Sequence, residues 1–255
     1  MKAMILAAGE GTRLRPLTLE TPKVLLLIGG RPLIEHQLFW LKSHGIQEVA
    51  INLHHLGHKI KDYLSDGSRF GMKIYYSPEE MLLGTAGGVK RMERFFDSTF
   101  AIIYGDVLTN FDLSAMIQFH RQKNALATLA LFHLPAQETL STQRTQQSPI
   151  LEVGVVEMDK EGRILSLVEK PQSLVSGPQP PTLASGGVYV LEKQVLDYIP
   201  DQSFSDFAYD IFPKLIELGL PIYGYLLKPE DYLIDIGTIE KYHKANEDIE
   251  RFKVY

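Results

Sequence analysis

Three cations follow a glycine-rich stretch near the start of the chain: Arg13, Arg15 and Lys23 come after Gly9-Glu10-Gly11-Thr12. Glycines let backbone N–H groups close on phosphate oxygens, and nearby cations neutralise the charge that arrives. An ordinary tight turn between strand and helix fits the same residues, although three cations so close together favour an anion. Two common phosphate cradles fail on spacing. The dinucleotide fingerprint G-x-G-x-x-G needs glycine where Leu14 stands, and no Gly-Lys-Ser or Gly-Lys-Thr occurs anywhere. Pro16 also argues against a long helix beginning at Gly11, since proline is tolerated only in a first turn.

Carboxylates at strand ends form a second group. Asp106 follows the apolar run Ile102-Ile103-Tyr104-Gly105, and in open parallel sheets ligands collect at the carboxyl ends of strands. Asp112 and Ser114 are better placed to cap the helix that begins at Leu113, so Asp106 has no obvious structural duty. Asp235 lies in Leu233-Ile234-Asp235-Ile236-Gly237, where an ionised group needs a partner. That partner is a buried cation, a helix end that Thr238 could equally cap, or a metal. Two such carboxylates suit Mg²⁺, which commonly takes one or two of them beside phosphate oxygens and water. Glu169-Lys170-Pro171 reads as a surface pair unless a second anion binds opposite the first loop. His54, His55 and His58, with Asp62 one turn on, have helical spacing for a metal, but scattered surface histidines explain them better.

The elements that must position these groups alternate in the first half. Strands are expected at 3–7, 48–53, 73–76 and 100–104, with helices from Pro32 to His44, Gly57 to Leu64 and Ala86 to Phe96. That order predicts parallel strands joined by right-handed crossovers. The second half predicts strands at 126–134, 153–158 and 163–168, with Asp159-Lys160-Glu161-Gly162 as a hairpin turn. Further strands are expected at 187–191, 222–227 and 232–234, and helices at 207–218 and 239–252. A polar insertion at 135–149 and a proline-bearing loop at 172–182 break the pattern. The fold class is α/β, a Rossmann-like doubly wound mixed sheet in one domain.

Composition narrows the partners. A formal net charge of -5 disfavours nucleic acid, which needs an electropositive face. With no cysteine, disulfides and thiolate metal sites are excluded. No apolar run approaches the ~18 residues of a membrane span, and the first apolar stretch stops at Ala8, unlike a signal peptide. A cytoplasmic protein without a membrane partner is the expectation.

The stretch Leu6-Ala7-Ala8-Gly9-Glu10-Gly11-Thr12-Arg13-Leu14-Arg15-Pro16-Leu17-Thr18, with Thr21-Pro22-Lys23, resembles the signature of the sugar-phosphate nucleotidyltransferases. The resemblance continues in order through Leu83-Gly84-Thr85-Ala86-Gly87-Gly88, Gly105-Asp106, Gly154-Val155-Val156, Glu169-Lys170-Pro171, Gly186-Gly187-Val188-Tyr189 and Asp235-Ile236-Gly237. It implies a glycosyltransferase-A-like fold, and a reaction in which a nucleoside triphosphate and a sugar 1-phosphate give a nucleoside-diphosphate sugar and pyrophosphate. It further implies Mg²⁺ on Asp106 and Asp235, with Arg13, Lys23 and Asp106 as the catalytic groups. Leu6, Ala7, Ala8, Gly9, Gly11, Thr12, Arg13 and Lys23 would surround the triphosphate, Arg13 on the leaving pyrophosphate and Lys23 at the α-phosphate. Gly84, Thr85, Ala86 and Gly105 would complete the nucleotide site; Gly154, Glu169, Lys170 and Gly187 would hold the sugar phosphate. Residues 1–110 would serve mainly the nucleotide and 111–255 mainly the sugar phosphate.

The Leu83–Gly88 segment most resembles mannose-1-phosphate guanylyltransferases, which favours GTP. Similarity also runs to heptose-phosphate guanylyltransferases and N-acetylmuramate-phosphate uridylyltransferases. Val24 stands in place of a usual proline, Val153 where tyrosine is common, and Ser185 where many relatives carry asparagine. The left-handed β-helix that many relatives append is not expected within this chain; a homo-oligomer is compatible with it. A paralogue that binds a nucleotide sugar without making it is the alternative, and would be expected to have lost Lys23, Asp106 or Asp235.

Overall fold

The computed structural model describes residues 1–134, 153–171 and 182–250. β1 (Lys2–Leu6) leads through the glycine loop and two single 3-10 turns, Thr12–Leu14 and Lys23–Leu25, to a short hairpin of β2 (Leu27–Ile28) and β3 (Arg31–Pro32). There follow α1 (Leu33–Ser43), β4 (Glu48–Leu53), α2 (Gly57–Leu64), β5 (Lys73–Pro78), α3 (Gly84–Arg91), β6 (Phe100–Tyr104), β7 (Val107–Thr109) and α4 (Leu113–Gln122). Next come β8 (Ala127–His133), β9 (Gly154–Met158), β10 (Ile164–Glu169) and β11 (Leu183–Leu191). A π-helical turn, Phe207–Ile211, runs into α5 (Phe212–Glu217), and β12 (Ile222–Leu226), β13 (Leu233–Asp235) and α6 (Ile239–Asp248) complete the described strands and α-helices.

Nine strands form one mixed sheet in the order β10-β9-β11-β6-β1-β4-β5, with β8 pairing β11 and β12 pairing β8. β1 is parallel to both β4 and β6, and β4 to β5, whereas β11 is antiparallel to β6 and β8. Side chains alternate across a strand, so β1 sends Ala3 and Ile5 to one face and Met4 to the other. The first face packs under Ile34 and Leu38 of α1, Ile60 of α2 and Met116 of α4. Met4 joins Ala50, Ile102 and Tyr189 beneath α3 and α5. Because helices cover both faces, the central strands read as continuous apolar runs. The doubly wound mixed sheet expected from the sequence is the fold observed.

Several boundaries differ from the sequence reading. α3 begins at Gly84, two residues early, because its first N–H groups are capped from a distant segment; it ends at Arg91 before a 3-10 turn, Glu93–Phe95. β11 extends back to Leu183 through a bulge between Ser185 and Tyr189. β2, β3 and β7 were not expected at all. The polar insertion at 135–149 and nearly all of the proline-bearing loop lie outside the described residues. Among the described residues, no helix is long and apolar enough to cross a membrane.

Two registers position the site. Leu6 pairs with both Asn52 and Tyr104, which aligns the carboxyl ends of β1, β4 and β6. β7 and β13 form a separate antiparallel ladder in which Asp235 pairs with Val107, the neighbour of Asp106.

Candidate active site

The glycine loop leaves β1 beside a cavity. Gly11 has φ +64°, and a Cβ there would sit 3.0 Å from Thr18 Cγ2; only glycine meets both demands easily. Buried Thr18 donates its hydroxyl to Gly11 O at 2.7 Å, which ties the loop back on itself. Gly9 is exposed, and a Cβ there would meet nothing within 4 Å, so its backbone is open to an approaching ligand.

A buried polar chain fixes the cavity floor. Ala7 N donates to Asn52 Oδ1 at 2.7 Å, Asn52 Nδ2 to Glu79 Oε1 at 2.8 Å, and Leu83 N to Glu79 Oε2 at 3.1 Å. Every link is paired, so the network is rigid and not costly. The start of α3 is strapped to the segment before the π-helical turn. Ala86 N and Gly87 N donate to Ser205 O at 2.9 and 3.1 Å, and a Cβ on Gly84 would lie 2.4 Å from that oxygen. Thr85 donates its hydroxyl to Asp206 Oδ2 at 2.8 Å and accepts from Phe207 N at 2.9 Å. Leu6, Ala7, Ala8, Gly9, Lys23, Gly84, Thr85, Gly105 and Asp106 line this first cavity, with Asn52, Glu79, Tyr104, Phe204 and Asp206. Ala86 points into the core instead, and Gly11 and Thr12 stay in the loop without bordering either cavity.

Asp106 stands at the junction with a second cavity. Its Oδ2 lies 2.9 Å from Lys23 Nζ. Burial is the largest influence on its carboxyl and pushes the pKa up, but Lys23, and then Arg13, outweigh it, so Asp106 is held below the usual carboxylate range. It caps no helix: Ala115 N donates to Asp112 Oδ1, as the sequence suggested. Asp235 accepts from Gly237 N at 3.1 Å and is ion-paired with Lys241, while Thr238 caps α6. The ion-pair reading of Asp235 therefore has its partner, but the pair is half-buried and not buried. Arg13 reaches the same place, its Nη2 lying 3.2 Å from where a Cβ on Gly237 would be.

The two carboxylates are brought together by the β7–β13 ladder, where Ile236 N donates to Asp106 O at 2.8 Å. Among the described residues no three His, Asp or Glu gather as a metal cage. Two hard carboxylate donors, each now matched by a lysine ammonium, fit a cation such as Mg²⁺ that draws its other ligands from phosphate and water. His54 and His55 have other occupations, with ring nitrogens 2.8 Å from Glu79 O and 3.3 Å from Thr18 O.

The second cavity is lined by Arg13, Asp106, Asp235, Gly154, Glu169, Lys170, Ser185 and Gly187, with Asp206 and Tyr209. Lys170 thus shares a cavity with Arg13 of the first loop. Gly154 makes room for Glu169, whose Oε2 lies 2.6 Å from where a Cβ would be. Gly187, at φ +69°, makes the bulge in β11 against the Tyr104 ring. Burial pushes the Tyr104 phenol well above its ordinary value and Tyr189 up to about 12, so both are neutral at physiological pH.

Tyr104, Asp106 and Asp206 line both cavities. The halves divided at residue 110 interleave here, since Phe204 and Asp206 reach the first cavity and Arg13 and Asp106 the second. Sequence reasoning missed Asn52, Glu79, Tyr104, Tyr189, Asp206 and Tyr209. Asn52 carried a signal, a lone amide at the end of an apolar strand; Asp206 carried one as an N-cap residue, accepting from Ala208 N at 2.8 Å.

Residues 2–251 match the nucleotidyl transferase family, and the chain belongs to it. It is 38% identical over 259 residues to the UTP–glucose-1-phosphate uridylyltransferase of Synechocystis sp., a match covering 96% of this chain and 62% of that protein. With the mannose-1-phosphate guanylyltransferase of Mycobacterium tuberculosis it shares 32% identity over 252 residues, 98% of this chain and 64% of the relative. The chain therefore spans under two thirds of these relatives' length. The crystal structure of HddC from Yersinia pseudotuberculosis superposes with a TM-score of 0.77 at 26% identity, covering 97% of this chain and 99% of that one.

Proposed function

We propose that this chain transfers a nucleotidyl group from a nucleoside triphosphate to a sugar 1-phosphate and releases pyrophosphate. The observation that carries the reading is the position of Asp106, paired with Lys23, between a largely apolar cavity under the glycine loop and a second cavity lined by Arg13 and Lys170. A sugar-phosphate oxygen attacks the α-phosphorus; the new P–O bond forms as the bond to the β-phosphate breaks, and pyrophosphate leaves with the electron pair. No protein nucleophile is needed, so rate comes from alignment and charge neutralisation.

In this reading the apolar cavity takes the nucleoside, and Gly9 leaves space for the triphosphate to approach the backbone. Lys23 offsets charge at the α-phosphate and Arg13 charge on the pyrophosphate side. Lys170 grips the sugar phosphate and Glu169 accepts from sugar hydroxyls. Asp106 and Asp235 would hold Mg²⁺, which supplies charge neutralisation between the two substrates. Lys23, Asp106 and Asp235 are all present, which favours an enzyme over a nucleotide-sugar sensor. Such a protein works where nucleotide pools are, in the cytoplasm.

For the substrate pair, the Leu83–Gly88 segment favours GTP with mannose 1-phosphate. The 38% identity to a uridylyltransferase supports UTP with a hexose 1-phosphate as the second reading. The test is pyrophosphate release with Mg²⁺, crossing GTP, UTP, dTTP, CTP and ATP against mannose, glucose, heptose and N-acetylmuramate 1-phosphates. One pair well above an Asp106→Asn background is the expected result. Release equal to that background for every pair would refute the assignment to these sugars.

A further inference from the structure

Asp106 sits on a two-residue reversal, Gly105-Asp106, between the end of β6 and the start of β7. Gln37, in the middle of α1, donates from its side-chain nitrogen to both carbonyls that flank this reversal, Tyr104 O at 2.9 Å and Val107 O at 2.7 Å. One amide thus bridges two strand ends. The rest of the turn is held from elsewhere: Gly105 N donates to Leu6 O at 2.9 Å, and Ile236 N to Asp106 O at 2.8 Å. A Cβ on Gly105 would lie 2.5 Å from Leu6 O, so the reversal is also sterically confined.

Gln37 is buried, and its Oε1 has no hydrogen-bond partner among the described residues. Flipping the amide would turn that oxygen onto two carbonyl oxygens, so the contacts fix its orientation. Leucine would fill the same core position without stranding an acceptor, but it could not donate to two carbonyls. A buried orphan acceptor calls for an explanation, and the double donation supplies one. One turn further along α1, Trp40 donates its indole N–H to Phe111 O at 2.9 Å. The helix therefore grips the segment carrying Asp106 at two points, one beside the carboxylate and one remote from it.

We propose that Gln37 is a positioning residue for Asp106: its amide holds the reversal so that the carboxylate faces the junction of the two cavities and can ligate a divalent cation there. This rests on the reading of Asp106 as a cation ligand. Residues behind a ligand typically change metal affinity or activity by about 10–100-fold when replaced.

The test uses Gln37→Met, which keeps the volume and removes the donors, with Trp40→Phe as the remote control. Mn²⁺ alone, and Mn²⁺ with GTP, are titrated by electron paramagnetic resonance, and thermal midpoints are recorded in parallel. For Gln37→Met the Mn²⁺ Kd is expected to rise about tenfold, and GTP binding without metal to stay within about twofold. Trp40→Phe is expected to lower the thermal midpoint yet leave the Mn²⁺ Kd unchanged. Should Gln37→Met not fold, Gln37→Asn, too short to span both carbonyls, carries the same expectation. An unchanged Mn²⁺ Kd for the Gln37 variants, or an equal change in Trp40→Phe, overturns the assignment. Absence of Mn²⁺ binding in the unaltered protein overturns it together with the cation reading of Asp106. Weakened Mn²⁺ binding in a protein that turns over no pair of substrates would sustain the role of Gln37 and refute only the reaction.

Discussion

Replacing Asp106 with asparagine separates chemistry from stability more cleanly than any other single change. The side chains of Lys23 and Asp106 are 17% and 21% exposed, so their pair is neither a surface bridge nor fully dry. At 2.9 Å the Coulomb attraction is about 6 kcal/mol with an effective dielectric near 20. Most of that is offset, because burial is the largest single influence on Asp106 and acts against its charge. Asparagine also keeps an oxygen that Lys23 can reach. The expected net destabilisation is about 1–2 kcal/mol, a fall of about 2–8 °C in thermal midpoint for a chain of this size. Loss of the carboxylate should raise the barrier by about 4 kcal/mol or more, close to a thousandfold in kcat/KM. Steady-state pyrophosphate release at saturating Mg²⁺, beside calorimetry on the same preparations, reads both quantities. Activity within tenfold of the parent would refute the placement of Asp106 in the reaction. A rate loss no greater than the loss of folded protein would make it a structural ion pair.

Lys170→Ala should raise KM for the sugar 1-phosphate about tenfold, the equivalent of one charge-assisted hydrogen bond of about 1.5 kcal/mol, and leave nucleotide KM within about twofold. Equal changes in both constants would remove Lys170 from the sugar-phosphate cavity. At the far end of the sheet, His120 is buried between Thr128 Oγ1 at 2.8 Å and Glu192 Oε1 at 3.1 Å, and burial, against the pull of Glu192, lowers its pKa. The unfolded chain then binds more protons below pH ~6.5, so stability should be level above that pH and fall as pH drops toward the folded value, by up to about 1.4 kcal/mol per unit. Denaturant midpoints of the parent and His120→Gln between pH 5 and 8 check this, and parallel curves would refute it.

Residues whose chemistry conflicts with their neighbours were legible in the sequence. Asp106 after an apolar strand, Asp235 between isoleucines and Lys170 after a strand all line the second cavity. Ladders and caps made by distant segments were not legible. Nothing near Gly84 reports that Ser205 O caps α3, and nothing near Asp235 reports Lys241 as its partner. β7 is three residues long, below the length at which alternation can be read, yet its pairing with β13 joins the two carboxylates. The early start of β11 lay behind Ser185-Gly186-Gly187, where the strand bulges and its alternation breaks. Gln37 lies in a helix whose sequence carries no sign of a special role there; its two acceptors distinguish it.

That three-residue ladder also gives the molecule a timetable. Asp235 is made 129 residues after Asp106 (235 − 106), a delay of roughly 6 to 26 seconds at the usual pace of a ribosome. Through that interval the residues of the central parallel strands and the glycine loop have been made, while those of β13 have not. On the proposed reaction, a nascent chain could shelter a triphosphate but would lack one of the two carboxylates needed to consume it. Catalytic competence would then wait on the docking of a single short strand.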